Sequence, residues 1–117
     1  MIAGIGIDFI EVERIKKLAE KNPRFTQRVF TSHEIDYCEG KANKYQHFAA
    51  RFAAKEAFFK ALGRRIRWTD VGVVNRPSGQ PQLDIRKRDR YPFATAHVSI
   101  AHLAEYALAL VILEANS

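Results

Sequence analysis

The sequence predicts an α+β fold, and three observations carry that expectation. Between residues 11 and 62, apolar side chains recur at helical spacing and are punctuated by helix start and stop signals. From residue 71 onward the chain changes to short runs rich in Val, Ile and Leu, separated by turn residues. Early helices followed by antiparallel strands, rather than strict βα alternation, indicate an α+β domain. The 117 residues suit one domain spanning 1–117, and 47% hydrophobic content is enough for a core. Internal repeats, low-complexity tracts and separating linkers are not seen.

Taken in order, residues 2–8 (Ile-Ala-Gly-Ile-Gly-Ile-Asp) read as a strand, with Ile2, Ile5 and Ile7 as bulk and the glycines permitting close approach. The alternation is imperfect, because Ile2 and Ile5 differ in parity. Residues 11–21 read as a helix: Val12, Ile15 and Leu18 recur, Glu is early, Lys late, and Pro23 stops it. Thr31-Ser32-His33-Glu34 resembles a capping box and opens a helix over 32–39, which Gly40 ends. A helix rich in Ala and Phe spans 44–62, with Gly63 as its C-cap. Val71 to Asn75, a turn over 76–81 and Gln82 to Ile85 form a hairpin. Residues 86–92 are a basic loop or a short helical turn. His97 to Ala101 and Tyr106 to Leu113 are strands joined by a turn at 102–105. The last strand alternates poorly, which predicts burial on both faces.

The long helix carries the most informative polar pattern. Glu56 and Lys60 lie about 40° apart on one face, flanked by phenylalanines 48, 52 and 59 on one side and alanines 50, 53, 54, 57 and 61 on the other. Such a helix is buried, so an acid and an amine in a narrow notch face a cleft. The alternative is a surface ion pair at i,i+4 contributing ~0.3–0.5 kcal/mol, and both readings stand at this point. Asp8, at the end of the first strand, is either a helix N-cap or a functional carboxylate. If Asp8 and Glu56 meet, two carboxylates without nearby His or Cys suit a hard cation such as Mg²⁺.

Other features exclude more than they assign. The lone Cys38 permits no intrachain disulfide and reads as a half-buried small residue, consistent with a cytoplasmic setting. A signal peptide and a transmembrane helix are not expected. His33 reads as solvated and His47 as structural; His97 and His102 lie in and beside a strand, where a histidine next to Ser99 binds a phosphate or is simply satisfied. Walker loops, Ser/His/Asp orders and metal-spaced Cys/His clusters are absent from the sequence. A net charge of +6 and a pI of about 9.7 predict an anionic partner. The cations fall in three groups, at 14–28, 64–67 and 86–90. They are a solvated face or contacts to phosphate and carboxylate. A basic nucleic-acid-binding module is the competing reading, weakened because the aromatics sit on the apolar helix rather than among the cations.

Three ordered segments resemble one family, the holo-acyl-carrier-protein synthases, the small type of 4′-phosphopantetheinyl transferase. They are Gly4-Ile5-Gly6-Ile7-Asp8 running to Arg14, Arg51-Phe52-Ala53-Ala54-Lys55-Glu56-Ala57 with Lys60-Ala61, and His97-Val98-Ser99-Ile100-Ala101-His102 followed by Tyr106-Ala107. Arg28 to Thr31 with Glu34, and Gly79-Gln80-Pro81, also fit, so the match covers nearly the whole chain. The resemblance implies a fold with an N-terminal strand and helices packed on an antiparallel sheet. It implies transfer of phosphopantetheine from coenzyme A to a serine of apo acyl carrier protein in fatty acid biosynthesis, with adenosine 3′,5′-bisphosphate leaving. It assigns Asp8 and Glu56 to Mg²⁺, and Glu56 and Lys60 to catalysis. Arg51, Lys55, Lys60, Pro81, Ser99 and His102 are assigned to coenzyme A, and Arg14, Arg24 and Arg28 to the carrier protein. Glu56, or a water held by the ion, takes the serine proton. The family is commonly a homotrimer with sites between subunits; nucleic acid and membrane are not among the implied partners. Two departures stand out: Phe52 where many relatives carry Trp, and Ala101 where they often carry Ser or Thr. A trimeric structural protein that lost activity is a third reading, opposed by the intact Asp8, Glu56 and Lys60.

Overall fold

The computed structural model describes residues 1–116. The chain runs β1 (Ile2–Glu11), α1 (Val12–Lys21), α2 (Phe25–Val29), α3 (Ser32–Glu39), α4 (Lys44–Leu62), β2 (Val71–Asn75), β3 (Pro81–Ile85), β4 (Thr95–His102) and β5 (Tyr106–Glu114). Short 3₁₀ turns at Trp68–Asp70 and Arg88–Arg90 complete it. Three strands form an antiparallel sheet in the order β1-β5-β4, and β2 and β3 form a separate hairpin. The described architecture is α+β, as the sequence predicts.

The long helix α4 lies across β1 and β5 and is the centre of the core. Strand alternation decides what it meets. From β1 the inward positions are Gly4, Gly6, Asp8 and Ile10; from β5 they are Ala107, Ala109, Val111 and Leu113. The residues nearest the helix are small. A Cβ built on Gly6 would stand 2.7 Å from the Ala61 nitrogen and 2.9 Å from the Ala57 carbonyl carbon, and closer still to the Ala57 oxygen. A Cβ on Gly4 would collide with the Ala61 carbonyl. The Gly-x-Gly of β1 is therefore where helix backbone lies directly on strand backbone.

The opposite face of the sheet is apolar and uncovered. Ile5, Ile7 and Phe9 of β1 are 58%, 55% and 62% exposed, and Leu108 and Leu110 of β5 lie beside them. The apolar character of β5 on both sides is correct, but in this chain only its inner side is covered.

The capping box at Thr31 forms: its Oγ1 accepts from the Glu34 amide at 3.1 Å, and Glu34 Oε1 accepts from the Thr31 amide at 2.9 Å. Gly63 ends α4 in the left-handed region at φ 83°, as expected of a C-cap. Several expectations need correction. Strand β1 continues to Glu11, three residues past Asp8, so Asp8 is neither at the strand end nor an N-cap. Helix α2 was not expected, because five residues between Pro23 and Thr31 are too few for a periodic pattern. His102 belongs to β4 rather than to the following turn, and His47 lies inside α4. Cys38 is fully buried, and burial pushes its thiol up to about 12, which removes it as a nucleophile.

Candidate active site

The close contact of β1 with α4 brings Asp8 and Glu56 to one cleft. Both line a cavity of about 240 Å³ together with Phe9, Ile10, Arg14, Phe52 and Arg65. Their side chains are mostly covered, at 16% and 14% exposure. Glu56 and Lys60 do not pair with each other, so the i,i+4 surface pair is not what forms. Lys60 Nζ reaches across to β1 instead, donating to Asp8 Oδ1 at 3.2 Å and to the Ile7 carbonyl at 2.9 Å. Glu56 is held by Arg65, whose Nη1 and Nη2 donate to its two oxygens at 3.1 and 3.0 Å. Each carboxylate thus has its own cation. Burial raises the Asp8 carboxyl above the usual aspartate value; Lys60 pulls it down and the Glu56 charge pushes it up.

The donor set fits a hard cation. Asp8 and Glu56 offer oxygen only, and among the described residues no group of three or more His, Cys, Asp or Glu could enclose a metal. An ion held here completes its shell with water and substrate oxygens, which is the habit of Mg²⁺.

A second cavity, of about 210 Å³, lies on the other side of α4 and is lined by Arg51, His47, His102, Tyr37, Asn75 and Pro81 among others. Arg51 is five residues before Glu56, so the two side chains point ~140° apart around the helix. Its Nη2 donates to Asn75 Oδ1 at 2.8 Å, and its guanidinium stacks over Tyr37 at 4.2 Å. Its Nε is buried without a partner. His102 Nδ1 is bonded to Gln46 Oε1 at 2.9 Å, and its ring meets that of His47 edge-on at 5.0 Å. Burial lowers the basicity of His47, helped by His102 and Arg51. Neutral His47 adds no charge, so the Arg51 guanidinium, with its unpartnered Nε, is what suits the cavity to an anion.

Two residues assigned to coenzyme A lie elsewhere. Lys55 is 0% exposed and ion-paired to Glu34 Oε1 at 2.6 Å, and its Nζ also donates to the carbonyls of Val29 and Trp68 at 2.7 and 3.1 Å. Its ammonium is saturated inside the core, because the position after Ala54 faces α3, the end of α2 and the turn at Trp68 rather than the notch. Ser99 is exposed on the uncovered sheet face beside Leu110, since strand alternation turns it away from the side carrying His102. Arg14, Arg24 and Arg28 are exposed on α1 and α2. Arg14 borders the carboxylate cavity and also a groove along α1 with Lys17, Leu18 and Lys21. The sequence reading missed Arg65, Asn75 and Tyr37. For Arg65 a signal existed: Gly63 at the helix end reverses the chain and returns the next residues toward α4.

Comparison with known proteins gives one answer. Residues 4–111 match the family described as the 4′-phosphopantetheinyl transferase superfamily. Holo-[acyl-carrier-protein] synthases of Geobacter sulfurreducens and Clostridium tetani are 44% and 43% identical, each across 97% of this chain and 98% and 97% of their own lengths. The crystal structure of a holo-(acyl-carrier-protein) synthase from Bacillus anthracis in complex with CoA (3′,5′-ADP) superposes with a TM-score of 0.86 at 37% identity, covering 99% of both chains. That of the Helicobacter pylori holo-[acyl-carrier-protein] synthase in complex with coenzyme A has a TM-score of 0.85 at 30% identity, over 94% of this chain and 99% of the other. The chain belongs to the holo-[acyl-carrier-protein] synthase family of the 4′-phosphopantetheinyl transferase superfamily.

Proposed function

We propose that this enzyme, acting as one domain over residues 1–117, transfers the 4′-phosphopantetheine group of coenzyme A to a serine of apo acyl carrier protein. Adenosine 3′,5′-bisphosphate leaves, and the reaction serves fatty acid biosynthesis in the cytoplasm. The observation that carries this reading is the meeting of Asp8, Glu56 and Lys60 in one cleft through the Gly-x-Gly contact. Asp8 and Glu56 would hold Mg²⁺, which supplies charge neutralisation at the diphosphate when bound.

The chain's own groups divide the remaining work. Lys60, 55% exposed and anchored on the Ile7 carbonyl, presents its ammonium to the diphosphate, where negative charge grows as the P–O bond to the departing nucleotide breaks. Glu56, once free of Arg65, is one candidate to accept the proton of the attacking serine, a water held at the ion being the other. Arg51 and His102, with Pro81 at the rim, bind the phosphates and nucleotide in the second cavity. Ser99 could contact coenzyme A only from the outer sheet face. Lys55 acts through the fold, by tying α4 to α3. Arg14, Arg24 and Arg28 receive the acidic surface of the carrier protein, and the position of Arg14 on the rim directs the serine toward Glu56.

The two cavities are lined from different sides of α4, by Arg51 in one case and Glu56 in the other. Each nevertheless borders the three-stranded sheet, through Phe9 in one case and Ile100 and His102 in the other. An apolar hollow of about 280 Å³, lined by Phe9, Ala101, Leu103 and Tyr106, lies between them at the sheet end. Packing the uncovered sheets around a rotation axis covers Ile5, Ile7, Phe9 and Leu110. A site shared between copies, as the family resemblance implies, would join the Arg51 and His102 cavity of one copy to the Asp8 and Glu56 cleft of the next. Three copies is the number the family resemblance implies. The decisive experiment is incubation with apo carrier protein, coenzyme A and Mg²⁺, read by mass spectrometry. A phosphopantetheine added to the carrier serine supports the proposal; an unmodified carrier with folded enzyme refutes it.

A further inference from the structure

Arg65 is the one charged residue lining the carboxylate cleft for which the transfer reaction has so far supplied no task. Its guanidinium forks over both oxygens of Glu56, at 3.1 and 3.0 Å, and thereby occupies the face of the carboxylate that a cation would use. It is also stacked near two rings, 5.5 Å from the centre of Phe59 and 5.6 Å from that of Trp68. The left-handed turn at Gly63 makes this return possible.

The two cations of the cleft are not equivalent. Lys60 has a second acceptor in the Ile7 carbonyl and can stay in place if Asp8 turns to another partner. Among the described residues, Glu56 is the sole hydrogen-bond acceptor of the Arg65 side chain. Arg65 is also 64% exposed, so leaving costs it little desolvation or packing. A divalent cation that takes the face of the Glu56 carboxylate over which Arg65 forks must displace that fork, because the two cations repel at that separation.

We infer that Arg65 is a displaceable counter-ion that holds Glu56 until a divalent cation takes the carboxylate, and that the released guanidinium then leaves its seat beside Phe59 and Trp68 and faces the substrate phosphates. Arg65 is thus a positioning residue in the metal-free protein and a substrate contact afterwards. The inference rests on the divalent-cation reading of Asp8 and Glu56.

The test separates the two. Mn²⁺ binding to the full chain is followed by electron paramagnetic resonance in the absence of coenzyme A, for the native protein and for Arg65→Gln, Arg65→Lys and Asp8→Asn. Removing the competitor should tighten Mn²⁺ binding roughly two- to fivefold in Arg65→Gln, with Arg65→Lys in between and Asp8→Asn strongly weakened. Trp68 is the sole tryptophan of the chain, so its emission reports the departure of the guanidinium. Mg²⁺ should shift that emission in the native protein and leave Arg65→Gln unchanged. The KM for coenzyme A should rise in Arg65→Gln even though the metal binds more tightly. Equal or weaker Mn²⁺ binding in Arg65→Gln, with Asp8→Asn still impaired, overturns the counter-ion role and leaves the metal reading standing. Mn²⁺ binding indifferent to Asp8→Asn overturns both.

Discussion

Gly6→Ala is the sharpest perturbation of the site that leaves every polar group in place. The added methyl would stand 2.7 Å from the Ala61 nitrogen and 2.9 Å from the Ala57 carbonyl carbon, and closer still to the Ala57 oxygen. All three atoms are backbone of α4, so no rotamer change relieves the clash. The helix must retreat from β1 by about 1 Å, and overpacking of this kind costs ~1–3 kcal/mol. For a domain of this size that lowers Tm by about 4–15 °C. The retreat also opens the Lys60 contacts to Asp8 and Ile7, now 3.2 and 2.9 Å. A misplacement of ~1 Å at a catalytic constellation costs on the order of 100-fold in rate. The assay is phosphopantetheine transfer with saturating coenzyme A and Mg²⁺, run well below the variant's own Tm so that unfolding does not contribute. Gly72→Ala is the control, because its Cβ would meet nothing tighter than the Thr31 Cγ2, at 3.3 Å, with the Asp84 carbonyl oxygen at an ordinary 3.9 Å. It should lose little stability and no turnover. Native kcat and native Tm in Gly6→Ala would refute the reasoning that backbone contact between β1 and α4 assembles the site.

Four further outcomes follow from the same geometry. Asp8→Asn and Glu56→Gln should each abolish most turnover while the fold persists. A buried acid whose folded pKa is raised stabilises the fold only when protonated, below its ordinary value, and that contribution is lost as pH rises through the folded pKa. Charged Asp8 is therefore a cost at neutral pH, and Asp8→Asn should raise the metal-free Tm while abolishing the Tm gain that Mg²⁺ gives the native protein; near-normal turnover in either variant removes the metal assignment. Lys55→Met leaves Glu34 charged and buried and should cost ~3–5 kcal/mol by denaturant unfolding. The KM for coenzyme A should hold, and a raised KM would return Lys55 to the binding surface. Arg14→Glu should raise the KM for carrier protein about tenfold, in a salt-dependent way, and barely move that for coenzyme A; equal losses for both would sink the assignment of the α1 surface. Light scattering at micromolar concentration should give three times the monomer mass, and Phe9→Glu should dissociate the assembly; a native monomer would leave the sheet face unexplained.

The sequence by itself determined most of the local elements and left the chemistry of the cleft between alternatives. Capping at Thr31 and Gly63, the buried Ala- and Phe-rich helix and the glycines of β1 are legible because each depends on a residue and its immediate neighbours. The roles of Asp8, Glu56 and Lys60 are not of this kind: the residues alone leave an N-cap and a surface ion pair open, and the family resemblance is what assigns them to the cleft. What only the tertiary structure decided is who meets whom. Lys60 pairs with a residue 52 positions away rather than with Glu56, and Arg65 takes Glu56 instead. Lys55, one position from Glu56, is turned 100° around the helix and disappears into the core against Glu34. Ser99 and His102 separate onto opposite faces of one strand. These outcomes depend on how closely α4 approaches β1 and on the register of three strands, and helical periodicity contains neither. The helical period sets Arg51 and Glu56 ~140° apart, but that a cavity lies before each of them is decided by what packs on either side of α4.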